Sequence, residues 1–311
     1  MNTWKSKLID FYRLSTMPYR TWRRRMLTSQ GKVPAYSIFY HRIADDHDNP
    51  WSMTREQFKR QIDWFQEEFD LVSLAELQRR VDAGFNDRPT LAITFDDGYA
   101  ENCEYALPLL IERKIPVCYF VTIDNLVRQE AFPHDVELGQ DLPVNSIESL
   151  KMLSNSGIEI GAHTRTHIDL GSVSDQELLA DEVIQASIEI EEFIGKPVQY
   201  FAFPFGQREN LNHGVFSMLK EHGFLGVCSA YGGWNRIGGD SFHIQRIHGD
   251  PSFERVKNWL SFDPRMARVK PYQYERRSER RDGQADPTEI HEIIVPPVSL
   301  PAVDPGQISA E

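Results

Sequence analysis

The sequence predicts an α/β barrel, and three observations carry that prediction. Short apolar runs alternate with helical patterns about seven times along the chain, as expected of parallel strands covered by helices. Asp96, Asp97, His163, Pro204 and His248 all fall where predicted strands end, the end at which such barrels carry their sites. A chain of 311 residues can also enclose one sizeable core with appendages.

The elements follow in order. Residues 1–32 form a basic amphipathic segment: Lys5, Lys7, Arg13, Arg20, Arg23, Arg24 and Arg25 are interleaved with Trp4, Leu8, Phe11, Tyr12, Leu14, Tyr19 and Trp22, against the single acid Asp10. Pro18 divides the segment. The mixture fits an interfacial helix in peripheral contact with a membrane through residues 1–30, or a terminal helix packed on the domain with a solvated basic face. Residues 33–40 read as the first strand, ending at His41. Thr54-Arg55-Glu56-Gln57 reads as a capping box opening a helix, followed by a short strand at 71–74 and a helix over 75–83. The apolar start at 91–93 reads as a short buried strand, Asp96 and Asp97 arrive where it should end, and Gly98 turns the chain. A helix over 101–113 and a strand over 115–121 come next. A loop from 125 to 143 holds His134 and Asp135, read as surface residues. A helix over 147–156 leads to a strand ending at His163. Ser174 opens a long helix closed by Gly195, and strands at 199–203, 226–229 and 242–247 complete the pattern. The catalytic barrel is placed at residues 33–264, and residues 265–311, charged and rich in Pro, are read as a disordered tail.

Composition excludes several classes. A net charge of −12 lacks the basic footprint of a nucleic-acid binder. Cys103, Cys118 and Cys228 are odd in number and far apart, which fits free thiols in a reducing compartment rather than a disulfide framework. Neither a signal peptide nor a transmembrane segment is visible, so the expected location is cytoplasmic, with the N-terminal segment at the inner membrane surface.

The chemistry concentrates in two short stretches. Adjacent strand residues point to opposite faces, so Asp96 and Asp97 reach one site only at a strand terminus, where two carboxylates require a positive partner. His163-Thr164-Arg165-Thr166-His167 places two imidazoles four residues apart, and a helical turn brings such a pair onto one face. Two histidines and one carboxylate, Asp97, leave open positions on a divalent metal, as a catalytic site requires. Asp96 is then the base that takes a proton from water.

Thr94-Phe95-Asp96-Asp97-Gly98-Tyr99 and the His163–His167 stretch closely resemble the first two motifs of the polysaccharide deacetylases, the NodB-homology carbohydrate esterases. The resemblance covers residues 33–263. It implies a distorted (β/α)7 barrel that hydrolyses the N-acetyl groups of amino sugars with zinc, or cobalt or a similar divalent ion. By position it implies Asp97, His163 and His167 as metal ligands and Asp96 as the base, with Tyr99 beside the substrate. Phe203-Pro204-Phe205-Gly206 matches a third motif, whose backbone at Phe205 and Gly206 holds the oxyanion. The family arginine two residues before that proline is Ala202 here, and Arg246, or less readily Arg165, is expected to replace it. Gly233-Trp234 stands where the fourth motif has an acid before tryptophan, so Trp234 either walls the acetyl pocket or packs in the core. His248 fits the general acid of the fifth motif, with Asp250 orienting it and His243 as the alternative. Tyr40-His41-Arg42-Ile43 resembles the opening of the exopolysaccharide-producing subgroup, with His41 facing the cleft. The expected substrate is an N-acetylated glycan or a lipid-linked sugar precursor. Hydrolysis of another amide, or glycan binding without catalysis, is the rival reading.

Overall fold

The computed structural model describes residues 3–47, 49–249 and 251–274. Asp250 and the tail from residue 275 lie outside the described residues.

Eleven strands run through the described chain: β1 (Ala35–Tyr40), β2 (Arg42–Ile43), β3 (Ser52–Met53), β4 (Asp70–Val72), β5 (Thr90–Phe95), β6 (Val117–Val121), β7 (Glu159–Ala162), β8 (Tyr200–Ala202), β9 (Gly226–Ser229), β10 (His243–Gln245) and β11 (Ile247–His248). Nine of them form a parallel sheet in the order β10-β9-β8-β7-β6-β5-β1-β11. The ninth, β4, pairs with the first half of β5 (Asp70 beside Thr90), while β6 pairs with its second half (Val117 beside Ile93). The two end strands, β10 and β11, are consecutive in the chain with only Arg246 between them. The chain itself therefore bridges the seam, giving the nearly closed barrel expected of a distorted (β/α)7 fold.

Strand alternation sorts the core into two sets. Ala35, Ala92, Cys118, Phe120, Tyr200, Ala202, Cys228 and Ile244 pack together inside the barrel. The intervening residues, among them Tyr36, Ile38, Leu91, Ile93, Tyr119, Ile160, Phe201 and Val227, pack against the helices. Both faces are buried, so β1, β5 and β6 are apolar almost throughout. The inward set is mostly small, which leaves room for Phe120 and Tyr200. A Cβ on Gly161 would meet the Phe120 ring at 2.3 Å, so glycine is required there.

Several elements differ from expectation. The predicted helix over 101–113 is a 3-10 turn, Ala100–Cys103, and a separate helix, Ala106–Glu112. The predicted loop over 125–143 contains the helices Ile123–Arg128 and Pro133–Glu137. The long helix after Ser174 starts at Gln176, capped by Asp175, and is interrupted by a π-helical turn, Asp181–Gln185. Thr54 and Gln57 do form a reciprocal capping box.

The ends of the unit pack more closely than the sequence suggests. Helices Thr3–Ser15 and Met17–Gln30 dock on the barrel. Tyr12 donates to Asp263 (2.9 Å), and the buried Arg20 guanidinium donates to Asn258 Oδ1 (2.6 Å) and the Ser261 carbonyl (2.9 Å). Residues 265–274, assigned to the tail from composition, also lie on the barrel. The Tyr274 ring stacks on Phe216 at 4.2 Å. Two aromatic anchors, Tyr272 and Tyr274, override the local charge.

Candidate active site

Alternation in β5 places Asp96 on the inward face with Ala92 and Thr94. Asp97 would point outward, but its backbone is left-handed (φ 72°), and the chain turns so that its carboxylate joins the same site. Left-handed backbone is strained for a residue with a Cβ, and here it resolves the conflict between two adjacent aspartates and one cleft.

His163 follows β7 on the inward face. Its Nδ1 lies 2.8 Å from the Ala202 carbonyl, which only accepts, so Nδ1 carries the proton and Nε2 presents a lone pair. His167 arrives differently from the predicted helical turn. The segment after β7 is a loop with left-handed backbone at Thr164 (φ 65°) and His167 (φ 60°). Buried Glu182, in the π-helical turn, holds this loop. Its Oε2 accepts from the Arg165 and Thr166 amides, both at 3.0 Å, and its Oε1 from the Thr166 hydroxyl at 2.6 Å.

Asp97 Oδ1 lies 3.4 Å from His163 Nε2 and 3.3 Å from His167 Nε2. This oxygen is buried without a hydrogen-bond partner. With His163 neutral, its Nε2 lone pair faces the Asp97 oxygen, so either a proton or a metal cation must lie between them. Bonds of ~2.1 Å meeting at a tetrahedral angle would place their ends about 3.4 Å apart, so the donor set fits a divalent metal. Asp97, His163 and His167 form the one such cluster found among the described residues. Burial works against the Asp97 charge, but His163 and His167 hold its carboxyl well below the usual carboxylate range. Burial alone would lower His163, yet Asp97, Asp96 and the Ala202 carbonyl raise it.

Asp96 faces a different cation. Arg246 Nη1 and Nη2 donate to its two oxygens at 2.6 and 2.8 Å, and Nη1 also reaches Thr94 Oγ1 at 3.0 Å. The Arg246 Nε–H donates to the Ser229 carbonyl, and the guanidinium lies 4.8 Å from the Phe39 ring and 5.3 Å from the Phe120 ring. Arg246 thus stands on the carboxylate where Ala202 supplies no charge. Arg165 is engaged elsewhere, with Glu189, Asp181 and Asp124.

The cleft above these groups holds about 320 Å³. Its walls include His41, His248, Trp51, His134 and Phe205. His41 and His248 are 5.7 Å apart between ring centres. Burial, with His41 nearby, pushes His248 down to about 3, and burial lowers His41 as well. Phe205, half exposed, sets its ring 5.1 Å from His167.

Three expected residues lie elsewhere. Trp234 is core: its ring meets Tyr36 and Phe262 on the outer side of β1. Tyr99 is fully buried beneath the cleft, where its hydroxyl donates to Asp135 Oδ2 at 2.8 Å. His243 falls on the outward face of β10, with Nε2 2.9 Å from Ser229 Oγ. The Gly206 amide donates to the Pro204 carbonyl at 2.6 Å.

His134 and Asp135, read as surface residues, belong to the site. Asp135 is fully buried and accepts from Trp51 Nε1 (3.0 Å) and Tyr99 Oη, while His134 Nε2 lies 3.1 Å from that same hydroxyl. One carboxylate therefore fixes the wall made by Trp51 and His134. The discoverable signal was Pro133, which favours the first turn of a helix.

Comparison with known proteins gives a consistent picture. A family model described as polysaccharide deacetylase matches residues 84–227. No curated protein matches. Among solved structures, IcaB from Ammonifex degensii is similar at 23% identity and a TM-score of 0.59, over 73% of this chain and 97% of that one. The Streptococcus pyogenes deacetylase PplD, in complex with acetate, is similar at 17% identity and 0.60, over 74% and 98%. A de-N-acetylase from Aggregatibacter actinomycetemcomitans is similar at 19% and 0.59, over 72% and 99%.

Proposed function

We propose that this chain, which a polysaccharide deacetylase model matches over residues 84–227, hydrolyses the N-acetyl group of an amino sugar, N-acetylglucosamine in type, within a polysaccharide or its lipid-linked precursor. The observation that carries the reading is the unpartnered Asp97 Oδ1 between two imidazole nitrogens, next to an Asp96 held by Arg246.

Asp97, His163 and His167 would hold a divalent cation, zinc by this nitrogen and carboxylate donor set, whose Lewis acidity acidifies a water and polarises the amide carbonyl. Asp96 accepts the proton of the attacking water. Each of its oxygens has a further lone pair, so it does so while still bonded to Arg246. Arg246 acts only through Asp96, by fixing where the base points. We place the oxyanion contact at the Phe205 amide, since the Gly206 amide is turned onto Pro204. We assign proton delivery to the leaving nitrogen to His248, with His41 beside it. Burial holds His248 toward its neutral form, so it must first take up a proton, the one Asp96 removed from the water, before it passes a proton to the leaving nitrogen. The Trp51–His134 wall, locked by Asp135, bounds the sugar on the other side.

The test is acetate release from N-acetylglucosamine oligomers by metal-reconstituted protein, with Asp96→Asn alongside. Release that requires both added metal and Asp96 is expected. Bound metal without release from any oligomer would transfer the site to another amide, and failure to bind metal would remove the basis of the proposal.

A further inference from the structure

The two N-terminal helices carry a surface that the deacetylase reading does not use. Their inner side is committed to the barrel through Tyr12, Arg20 and Leu27. Their outer side is not. Leu8 (52% exposed), Phe11 (71%), Leu14 (60%), Met17 (42%), Tyr19 (38%) and Trp22 (54%) all face solvent. Sixteen large apolar side chains are exposed among the described residues, and six of them lie on these two helices, so this is a patch rather than scatter. At 100° per residue, Leu8, Phe11 and Leu14 share an arc of about 120° with exposed Lys7 among them.

We propose that this face docks on an anionic lipid surface. Charge complementarity selects that occupant. Residues 1–30 hold seven basic residues and one acid in a chain whose net charge is −12. Arg20 is turned into the barrel and Arg13 and Arg24 lie beside Glu254 and Glu68, while Lys7 and Arg25 are exposed to meet the bilayer. An anionic bilayer attracts this face and repels the remainder, which also sets the orientation. A second copy of the chain would bring like charges together. Tyr19 and Trp22, whose rings are 5.9 Å apart, suit the headgroup level, with Phe11 and Leu14 entering the acyl boundary.

The position of the patch gives docking a consequence. Helix Met17–Gln30 crosses the end of the barrel where strands begin. Arg24 lies 3.8 Å from Glu68, just before β4, and the Gly31 carbonyl accepts from the Asn86 amide, just before β5. The cleft lies at the opposite end. Docked in this way, the protein turns Asp96 and the His163–His167 loop away from the bilayer, toward a glycan that extends from it.

Sedimentation of the full chain with vesicles tests this. With 30% phosphatidylglycerol in phosphatidylcholine at 0.1 M salt, the protein is expected to partition at least tenfold more strongly than onto pure phosphatidylcholine, and to be released at 0.5 M salt. Phe11→Ser with Trp22→Ser, both solvent-exposed, should lower partitioning at least tenfold at unchanged melting temperature. Lys7→Gln with Arg25→Gln should lower it on anionic vesicles alone. Equal sedimentation of the wild-type and Phe11/Trp22 variants, or none with either vesicle, overturns the proposal. So does a wild-type dimer that the same variants dissociate without any vesicle binding, which would make a second copy the occupant.

Discussion

Arg246 closes its two terminal nitrogens on the two carboxylate oxygens of Asp96, at 2.6 and 2.8 Å, from the seam between the first and last strands in the sheet order. Both residues are buried, and the guanidinium is further fixed by Thr94 and the Ser229 carbonyl. A planar fork on a carboxylate gives orientation as well as charge.

Arg246→Lys keeps the charge and loses the fork. It is expected to lower kcat on the order of 10²-fold with KM little changed, because the base loses its aim rather than the substrate its contacts. Arg246→Ala leaves a buried carboxylate uncompensated, and urea unfolding should show a loss of about 3–5 kcal/mol. Equal kcat in wild type and Arg246→Lys would show that the fork has no positioning role.

Glu182 receives three donors from the loop that carries His167. Glutamine in its place keeps one oxygen for the two amides, turns its NH2 toward the Thr166 hydroxyl, which must then accept, and loses the charge that strengthens all three bonds. Glu182→Gln is therefore expected to weaken zinc binding about 10–100-fold, read by competition titration. Thr166→Val removes one of the three bonds and should weaken it less. Unchanged zinc affinity in Glu182→Gln would mean the loop holds its strained backbone without this carboxylate.

Acid should destabilise the fold through two histidines. Burial pushes both His243 and His248 down to about 3, from an ordinary 6.5. A lowered histidine favours folding at a pH above the unfolded value, and that advantage is lost as pH falls from about 6.5 toward 3, where only the unfolded chain takes the proton. At pH 5 each contributes a loss of about 2 kcal/mol relative to pH 7. Urea midpoints at pH 7 and pH 5 measure it, and His248→Gln should show a smaller pH dependence than the wild type. Parallel curves would show that His248 is not held neutral by burial.

Much of the fold was legible because parallel strands buried on both faces are continuous apolar runs, and those runs locate the strand ends. Asp96, Asp97, His163 and His248 could be placed from that alone. The route by which His167 joins them was not legible. Four-residue spacing fits a helical turn, whereas the chain uses two left-handed residues stabilised by Glu182, fifteen positions beyond His167. His134 and Asp135 looked like loop surface because their partners, Trp51 and Tyr99, are distant in sequence. Trp234 occupies a motif position yet packs against Tyr36 and Phe262, since a tryptophan's motif context does not tell which side of a strand it meets.

The sequence by itself determined the alternation of strands and helices, the inward parity of Asp96, His163 and His248, and the basic, aromatic character of the first thirty residues, because these depend on period and composition along the chain. Tertiary structure alone decided that the expected Arg246 closes both terminal nitrogens on Asp96, that Asp135 locks the cleft wall, and that Leu8, Phe11, Leu14 and Trp22 are left uncovered. Those outcomes depend on how the barrel closes and which buried charges find partners across it, and no local pattern encodes them.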